Sequence, residues 1–255
     1  MRALVTNDDG VDSHGIFVLA RLAHDAGLDV VVAAPHEERS GASASLTALA
    51  SDGRLAVSRR EFPDLPGVEV NAVEASPALI SFVAASGAFG PPPDIVLSGI
   101  NHGPNTGHAV LHSGTVGAAL TGATHGTLAL AVSLATTDPR NWDTAETVCR
   151  HALEWILEHG TPGAVLNVNA PDIPMDELKG LRPASLAKFG AVQANIGEAS
   201  DGFVTVTFTE ISAEDSEDSD ETDAGLLTRG WATATALRAP FEAVDVDLAT
   251  MRWAR

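Results

Sequence analysis

Asn7-Asp8-Asp9-Gly10 sets two carboxylates at adjacent positions. Like charges this close repel, so such a pair either shifts its ionisation or takes up a cation. Carboxylate oxygens suit hard divalent ions such as Mg²⁺, Mn²⁺ or Ca²⁺. The same four residues are also good turn and helix-cap chemistry, so this segment alone leaves both readings open. A second reactive stretch runs from Ser98 through Gly-Ile-Asn101-His-Gly-Pro-Asn105 to Ser113-Gly114-Thr115-Val116-Gly117. Small residues opening a helix expose backbone N–H groups at the positive end of the helix dipole, which is an anion site. The Gly-Lys-Ser/Thr ending of a Walker loop is absent. Asn101, three residues past Ser98, is placed to turn a side-chain amide towards Asp8 and Asp9. A third stretch, His36 to Ala44 (HEERSGASA), offers Ser40, Ser43 and Arg39.

The elements around these residues place all three at one edge. Arg2–Thr6 is a short apolar strand ending on the acidic pair, and Ser13–Ala26 has helical spacing closed by Gly27. Leu28–Ala34 is a near-continuous apolar strand, as in a parallel sheet covered on both faces. Together they make one βαβ unit with a right-handed crossover. Leu46–Arg60 and Val68–Val73 read as short strands about the Pro63/Pro66 turn, and Pro77 opens a helix that runs to about Ser86. Asp94–Ser98, Thr127–Leu134 and Ala164–Val168 are further buried strands, and Thr144–Glu158 is an amphipathic helix. Alternating strands and helices up to about residue 170 predict a doubly wound, mostly parallel, Rossmann-like α/β core in three layers. In such sheets ligands bind beyond the carboxyl ends of the strands, where the three stretches fall.

The remainder reads differently. Phe203–Ile211 alternates with period two as an extended strand, and Trp231–Leu237 reads as its partner in a hairpin arm. Glu214–Asp223 is a dense acidic run expected to be a solvated loop, and Pro240–Arg252 a last short helix. A lone hairpin has little core of its own and needs cover from a second subunit. The reading is one domain over 1–255, with the core at about 1–170 and the hairpin and tail at about 175–255.

Composition excludes several classes. Fifteen Lys and Arg against 34 Asp and Glu give a net charge of −19, so a nucleic-acid polymer is not the expected partner. No apolar run is long enough to span a bilayer, and the first residues do not form a signal or transit peptide. The single cysteine, Cys149, excludes an intrachain disulfide framework and fits the cytoplasm. It lies in a helical pattern and is expected to be a buried structural thiol. His102, His108 and His112 crowd one loop, with His14 a possible neighbour, but their spacing is no recognised zinc signature. Loop polarity or leaving-group contact is the reading for them.

Four stretches taken together, VTNDDG at 5–10, RSGASASLT at 39–47, SGINHGPNTG…SGTVGAA at 98–119 and NVNAP at 167–171, resemble the survival protein E (SurE) family of metal-dependent acid phosphatases and nucleotidases. The resemblance extends to Thr222-Asp223 and Gly230-Trp231. It implies one divalent metal ion, Mg²⁺ or Mn²⁺, at Asp8, Asp9, Ser40 and Asn101. It also implies phosphate binding at Ser113, Gly114 and Thr115 with help from Asn105, and nucleoside monophosphates or short polyphosphate as substrates. Assembly as a homodimer or homotetramer through a C-terminal hairpin is implied as well. The chain departs from the family pattern at His14, Ala75-Ser76-Pro77, Leu79, His108 and His112. Substrate range and efficiency are the properties those positions bear on.

The chemistry expected is phosphomonoester hydrolysis by metal-activated water, with Asp8 or Asp9 orienting that water or taking its proton. Such esters are so inert that the site must remove on the order of 20 kcal/mol of barrier. No His–Asp partner makes Ser40 a nucleophile on spacing grounds. Two other readings compete. A receiver-type signalling module also binds Mg²⁺ at two acids after its first strand, but it needs a Lys after a late strand that is missing here. A degenerate relative would bind nucleotide without turning it over. A bulky residue at Gly114 is expected to block a phosphoryl oxygen with little effect on metal binding.

Overall fold

In the computed structural model, residues 1–48, 53–188, 192–200, 203–210 and 221–239 are described. Five strands run in parallel through its centre: β1 (Arg2–Thr6), β2 (Asp29–Pro35), β5 (Ile95–His102), β6 (Leu128–Ala135) and β7 (Val165–Pro171). On the β2 side the sheet is extended by β4 (Glu69–Val73), parallel, and β3 (Val57–Arg60), antiparallel. On the β7 side it is extended by β11 (Ala232–Leu237), antiparallel to β7, and β8 (Leu181–Pro183), parallel to β11. The nine-stranded order is β3-β4-β2-β1-β5-β6-β7-β11-β8. The chain leaves β1 towards β2 and later returns to β1's other side as β5, so the switch point lies between β1 and β5.

Successive residues of each central strand face opposite layers, and both layers have apolar cores. Ala3, Val5, Val32, Leu97 and Leu130 join the core beneath α1 (His14–Asp25) and α4 (Trp142–His159). Leu4, Val31, Ala33 and Val96 join a second cluster that includes Ile80 and Ala84 of α2 (Pro77–Ala85). Ala129 and Ala131 of β6 pack with Val116, Ala119 and Ala123 of α3 (Gly114–Thr124). Apolar residues on both faces explain why these strands read as continuous runs. Cys149 is wholly buried on α4, and burial pushes its thiol up to about 12. No helix among the described residues is long and apolar enough to cross a membrane.

The C-terminal half corrects the expected hairpin. Phe203–Glu210 (β10) pairs antiparallel with Val192–Ser200 (β9) in a separate two-stranded sheet, not with Trp231–Leu237. The latter segment forms β11 on the edge of β7, with Thr233 opposite Asn169 and Leu237 opposite Val165. Its small Ala and Thr residues fit a covered sheet position, and Ala232 and Thr233 are fully buried. Period-two alternation marks a strand but does not choose its partner. Of the acidic run, 214–220 lies outside the described residues, as does the helix expected at Pro240–Arg252. Asp223, at the run's end, is not solvated: it is fully buried and opens the short helix α5 (Asp223–Leu227).

Candidate active site at the switch point

Asn7 shapes the turn that ends β1. Its side-chain amide donates to the Gly10 carbonyl at 2.9 Å and to Ser13 Oγ at 2.7 Å. The Asp8 carbonyl accepts from the Arg39 amide at 2.7 Å, which ties this turn to the loop after β2. The Asp8 carboxylate, 4% exposed, accepts from the Thr115 hydroxyl. Burial raises its pKa, while the Thr115 hydroxyl and the amides of Thr115 and Gly114 act in the opposite sense. Asp9 accepts from the His102 amide at 3.2 Å through Oδ2. Burial first, then the charges of Asp8 and Glu38, push the Asp9 carboxyl up to about 7. Neither carboxylate has a Lys or Arg ion-pair partner among the described residues. Two carboxylates gathered in low dielectric without a counter-charge fit a hard cation on their donor chemistry.

The other expected ligands lie one residue from these contacts. Asn101 precedes His102, near the end of β5, where the strand has a register irregularity and a cis Gly99–Ile100 peptide. Its side-chain nitrogen donates to the carbonyls of Gly103 (2.8 Å) and His102 (3.3 Å), which leaves its amide oxygen for another partner. Ser40 follows Arg39, and its hydroxyl donates to Glu38 Oε1 at 2.5 Å.

The start of α3 does meet the acidic pair. Ser113 is the N-cap, its Oγ accepting from the Val116 amide at 3.0 Å, and its carbonyl accepts from the Gly117 amide at 3.0 Å. Gly114 is required by contact: a Cβ there would lie 2.6 Å from Asp8 Oδ2 and 2.8 Å from Asp8 Cβ. This changes the expectation for Gly114. A side chain there collides with Asp8 itself and would displace that carboxylate, not only narrow the space in front of the helix.

Asn105 is buried beneath the glycine loop. Its amide donates to Asn169 Oδ1 at 2.7 Å, and its Nδ2 donates to Ser133 Oγ at 2.7 Å. Its carbonyl accepts from Asn167 (2.9 Å) and Asn169 (3.0 Å). The two asparagines of NVNAP therefore hold the loop to β7. Asp223 is the residue that sequence reasoning missed. One carboxylate oxygen accepts from the Gly107 amide at 2.9 Å, and the other from the amides of Ala187 (2.9 Å) and Ala224 (2.8 Å). The only signal for it was its place beside Thr222 in the resemblance. Position at the end of an acidic run pointed the other way.

The histidines do not form a metal set. No group of three or more His, Cys, Asp or Glu among the described residues could hold an ion. His14 and His102 both pack edge-on against Trp142, with ring centroids 4.6 and 5.8 Å away. Burial lowers the His102 pKa. His108 and His112 are exposed.

Fold and site together define a class: three-layer α/β proteins with an acidic, oxygen-lined centre at the switch point of the sheet. The family model described as survival protein SurE matches residues 3–192. The 5'-nucleotidase SurE of Dehalococcoides mccartyi (strain BAV1) is 35% identical over 240 residues, 93% of this chain and 88% of that protein. The 5'/3'-nucleotidase SurE of Erwinia tasmaniensis is 34% identical over 254 residues, covering 99% and 96%. The crystal structure of the SurE protein from Aquifex aeolicus superposes with a TM-score of 0.80 at 27% identity, covering 98% of each chain. This chain belongs to the SurE family.

Proposed function

We propose that this chain is a 5'-nucleotidase, hydrolysing nucleoside monophosphates with the help of one divalent metal ion, Mg²⁺ or Mn²⁺. The observation that carries the reading is the adjacent pair of buried Asp8 and half-buried Asp9, without a basic partner among the described residues, with Asp8 set against the start of α3. The names of the relatives from D. mccartyi and E. tasmaniensis agree with it. Asp8, Asp9, Ser40 and Asn101 would hold the ion. When bound, it supplies Lewis acidity and lowers the pKa of coordinated water.

The chain's own residues do the rest. Asp9, which accepts from the His102 amide, would orient the attacking water or take its proton. Thr115 orients the Asp8 carboxylate through its hydroxyl. Ser113, Gly114 and Thr115 bring the positive end of α3 to the pair, where a phosphoryl oxygen gathers charge. Asn105, pinned to Ser133 and β7, supports the loop leading to that helix. Binding without turnover rested on the departures at His108 and His112; both are exposed, and Leu79 packs against the second core cluster. None of the three alters the acidic pair.

Residues 1–255 would act as one domain, because strands from both ends share the nine-stranded sheet. The reading places the protein in the cytoplasm, as a homodimer or homotetramer assembled through the β9–β10 hairpin. The test is release of phosphate from AMP with Mn²⁺ or Mg²⁺. Turnover that a chelator abolishes and metal restores is the expected result. Metal-dependent binding of AMP without phosphate release would overturn it.

A further inference from the structure

Ser40 stands in a tight turn, closed where the Ala42 amide donates to the Arg39 carbonyl at 3.1 Å. Its hydroxyl donates to Glu38 of the same loop, so the backbone of this loop decides where Ser40 stands relative to the acidic pair. One end of the turn is tied to the end of β1, through the Arg39 amide and the Asp8 carbonyl. The other end meets a different part of the site at Ser43. The Ser43 hydroxyl donates to the Leu111 carbonyl at 2.6 Å, and the Ser43 amide donates to the His112 carbonyl at 3.3 Å. Leu111 ends the short 3₁₀ helix Gly107–Leu111, His112 caps it, and Ser113 follows as the N-cap of α3.

Two further observations bear on this contact. Ser43 has φ of +54°, the one positive value at a non-glycine position among the described residues. A residue with a Cβ seldom adopts that backbone, and surrounding contacts must hold it when it does. Gly117 of α3 supplies the complementary surface. A Cβ there would lie 2.3 Å from the Ser43 carbonyl oxygen and 2.7 Å from the Ala44 amide nitrogen. The loop that carries Ser40 is therefore seated directly on the helix whose start meets Asp8.

We propose that Ser43 is a positioning residue that sets the metal site and the phosphate cradle in one register. It acts through its neighbours in the chain: Ser40 on the metal side and Ser113 on the phosphate side. With the loop seated on α3, the ion and the phosphoryl group each strengthen the binding of the other. The inference rests on the nucleotidase reading, and its test separates the two.

Ser43→Ala removes the hydroxyl and keeps the Cβ, so the backbone strain is unchanged. Gly117→Ala breaks the same contact from the helix side, where alanine otherwise favours the helix. The measurement is calorimetric titration of Mn²⁺ with and without inorganic phosphate. In the parent, phosphate should tighten Mn²⁺ binding. That gain should be about fivefold smaller in Ser43→Ala, the value of one neutral hydrogen bond. Gly117→Ala should lose at least as much. The double variant should lose no more than the worse single one, because both changes lift one loop from one helix. A purely structural role would lower the melting temperature and leave the gain from phosphate unmoved; that outcome overturns the proposal. Additive losses in the double variant, or a parent in which phosphate brings no gain, overturn it as well. If the parent binds no Mn²⁺ under either condition, the nucleotidase reading fails. Ser43 is then judged by amide exchange in the metal-free protein. Quickening at 107–113 together with 39–45 in Ser43→Ala supports its role in joining the two loops, and quickening confined to 39–45 overturns it.

Discussion

At the scale of single residues, the site is governed by what surrounds two carboxylates. The Asp9 carboxyl stands near 7 against an ordinary 3.8, so the folded protein holds that proton more tightly than the unfolded chain. Its contribution to stability is therefore fully present below about pH 4 and is lost as pH rises through about 7. Asp9→Asn cannot ionise and escapes that loss. In chelator at pH 8 the variant should unfold at a higher temperature than the parent, by about 2–4 °C per kcal/mol of relief in a protein of this size. At pH 5 the gap should close. Excess Mn²⁺ at pH 8 should stabilise the parent and leave the variant nearly unmoved, while turnover of the variant falls by orders of magnitude. Calorimetry with and without chelator decides this; parallel pH profiles for the two proteins would contradict the placement of Asp9. Gly114→Ala is the steric counterpart. Its Cβ would press on the Asp8 carboxylate from 2.6 Å, so Mn²⁺ affinity and turnover should both drop, each by about tenfold or more for a displaced metal ligand. Turnover lost with full metal affinity would restore the view that Gly114 only makes room for phosphate.

At the scale of elements, the loop from Gly103 to His112 is held from three directions. Ser133 of β6 holds the Asn105 side chain, Asn167 and Asn169 of β7 hold its backbone, and Asp223 of α5 holds the Gly107 amide. Asp223 also accepts from Ala187 and Ala224, so its removal leaves three amides without their acceptor. Each such orphan costs about 1–3 kcal/mol when buried. Asp223→Ala should lower stability by several kcal/mol, and amide exchange should quicken at 103–112 more than in β1 or β2. Hydrogen exchange read by mass spectrometry reports both. Uniform quickening across the sheet would mean that Asp223 serves the fold at large and not this loop.

At the scale of the whole molecule, β9 and β10 form a sheet of their own. A two-stranded sheet alone is marginal in water, and strand edges left open invite pairing with another chain. A homodimer or larger assembly is the expected outcome, with a light-scattering mass of at least twice 26.3 kDa. Deleting 192–210 should yield monomer or insoluble protein. A clean 26.3 kDa for the intact chain would place the hairpin's cover within its own molecule.

Several features of this protein are local and were legible in the sequence. Apolar runs of five to eight residues marked the central strands, because burial on both faces favours apolar side chains along most of their length. Asp8 and Asp9 drew attention because adjacent charges after a buried strand need a reason. Ser113-Gly114-Thr115 announced a helix start through capping chemistry, which acts within four residues. What only the tertiary structure decided involves partners distant in the chain. The Gly114 contact with Asp8 spans more than a hundred residues, as does the Asp223 bond to Gly107. The seat of Ala232–Leu237 beside β7 depended on which strand edge was open, and alternation within a strand carries no information about that edge.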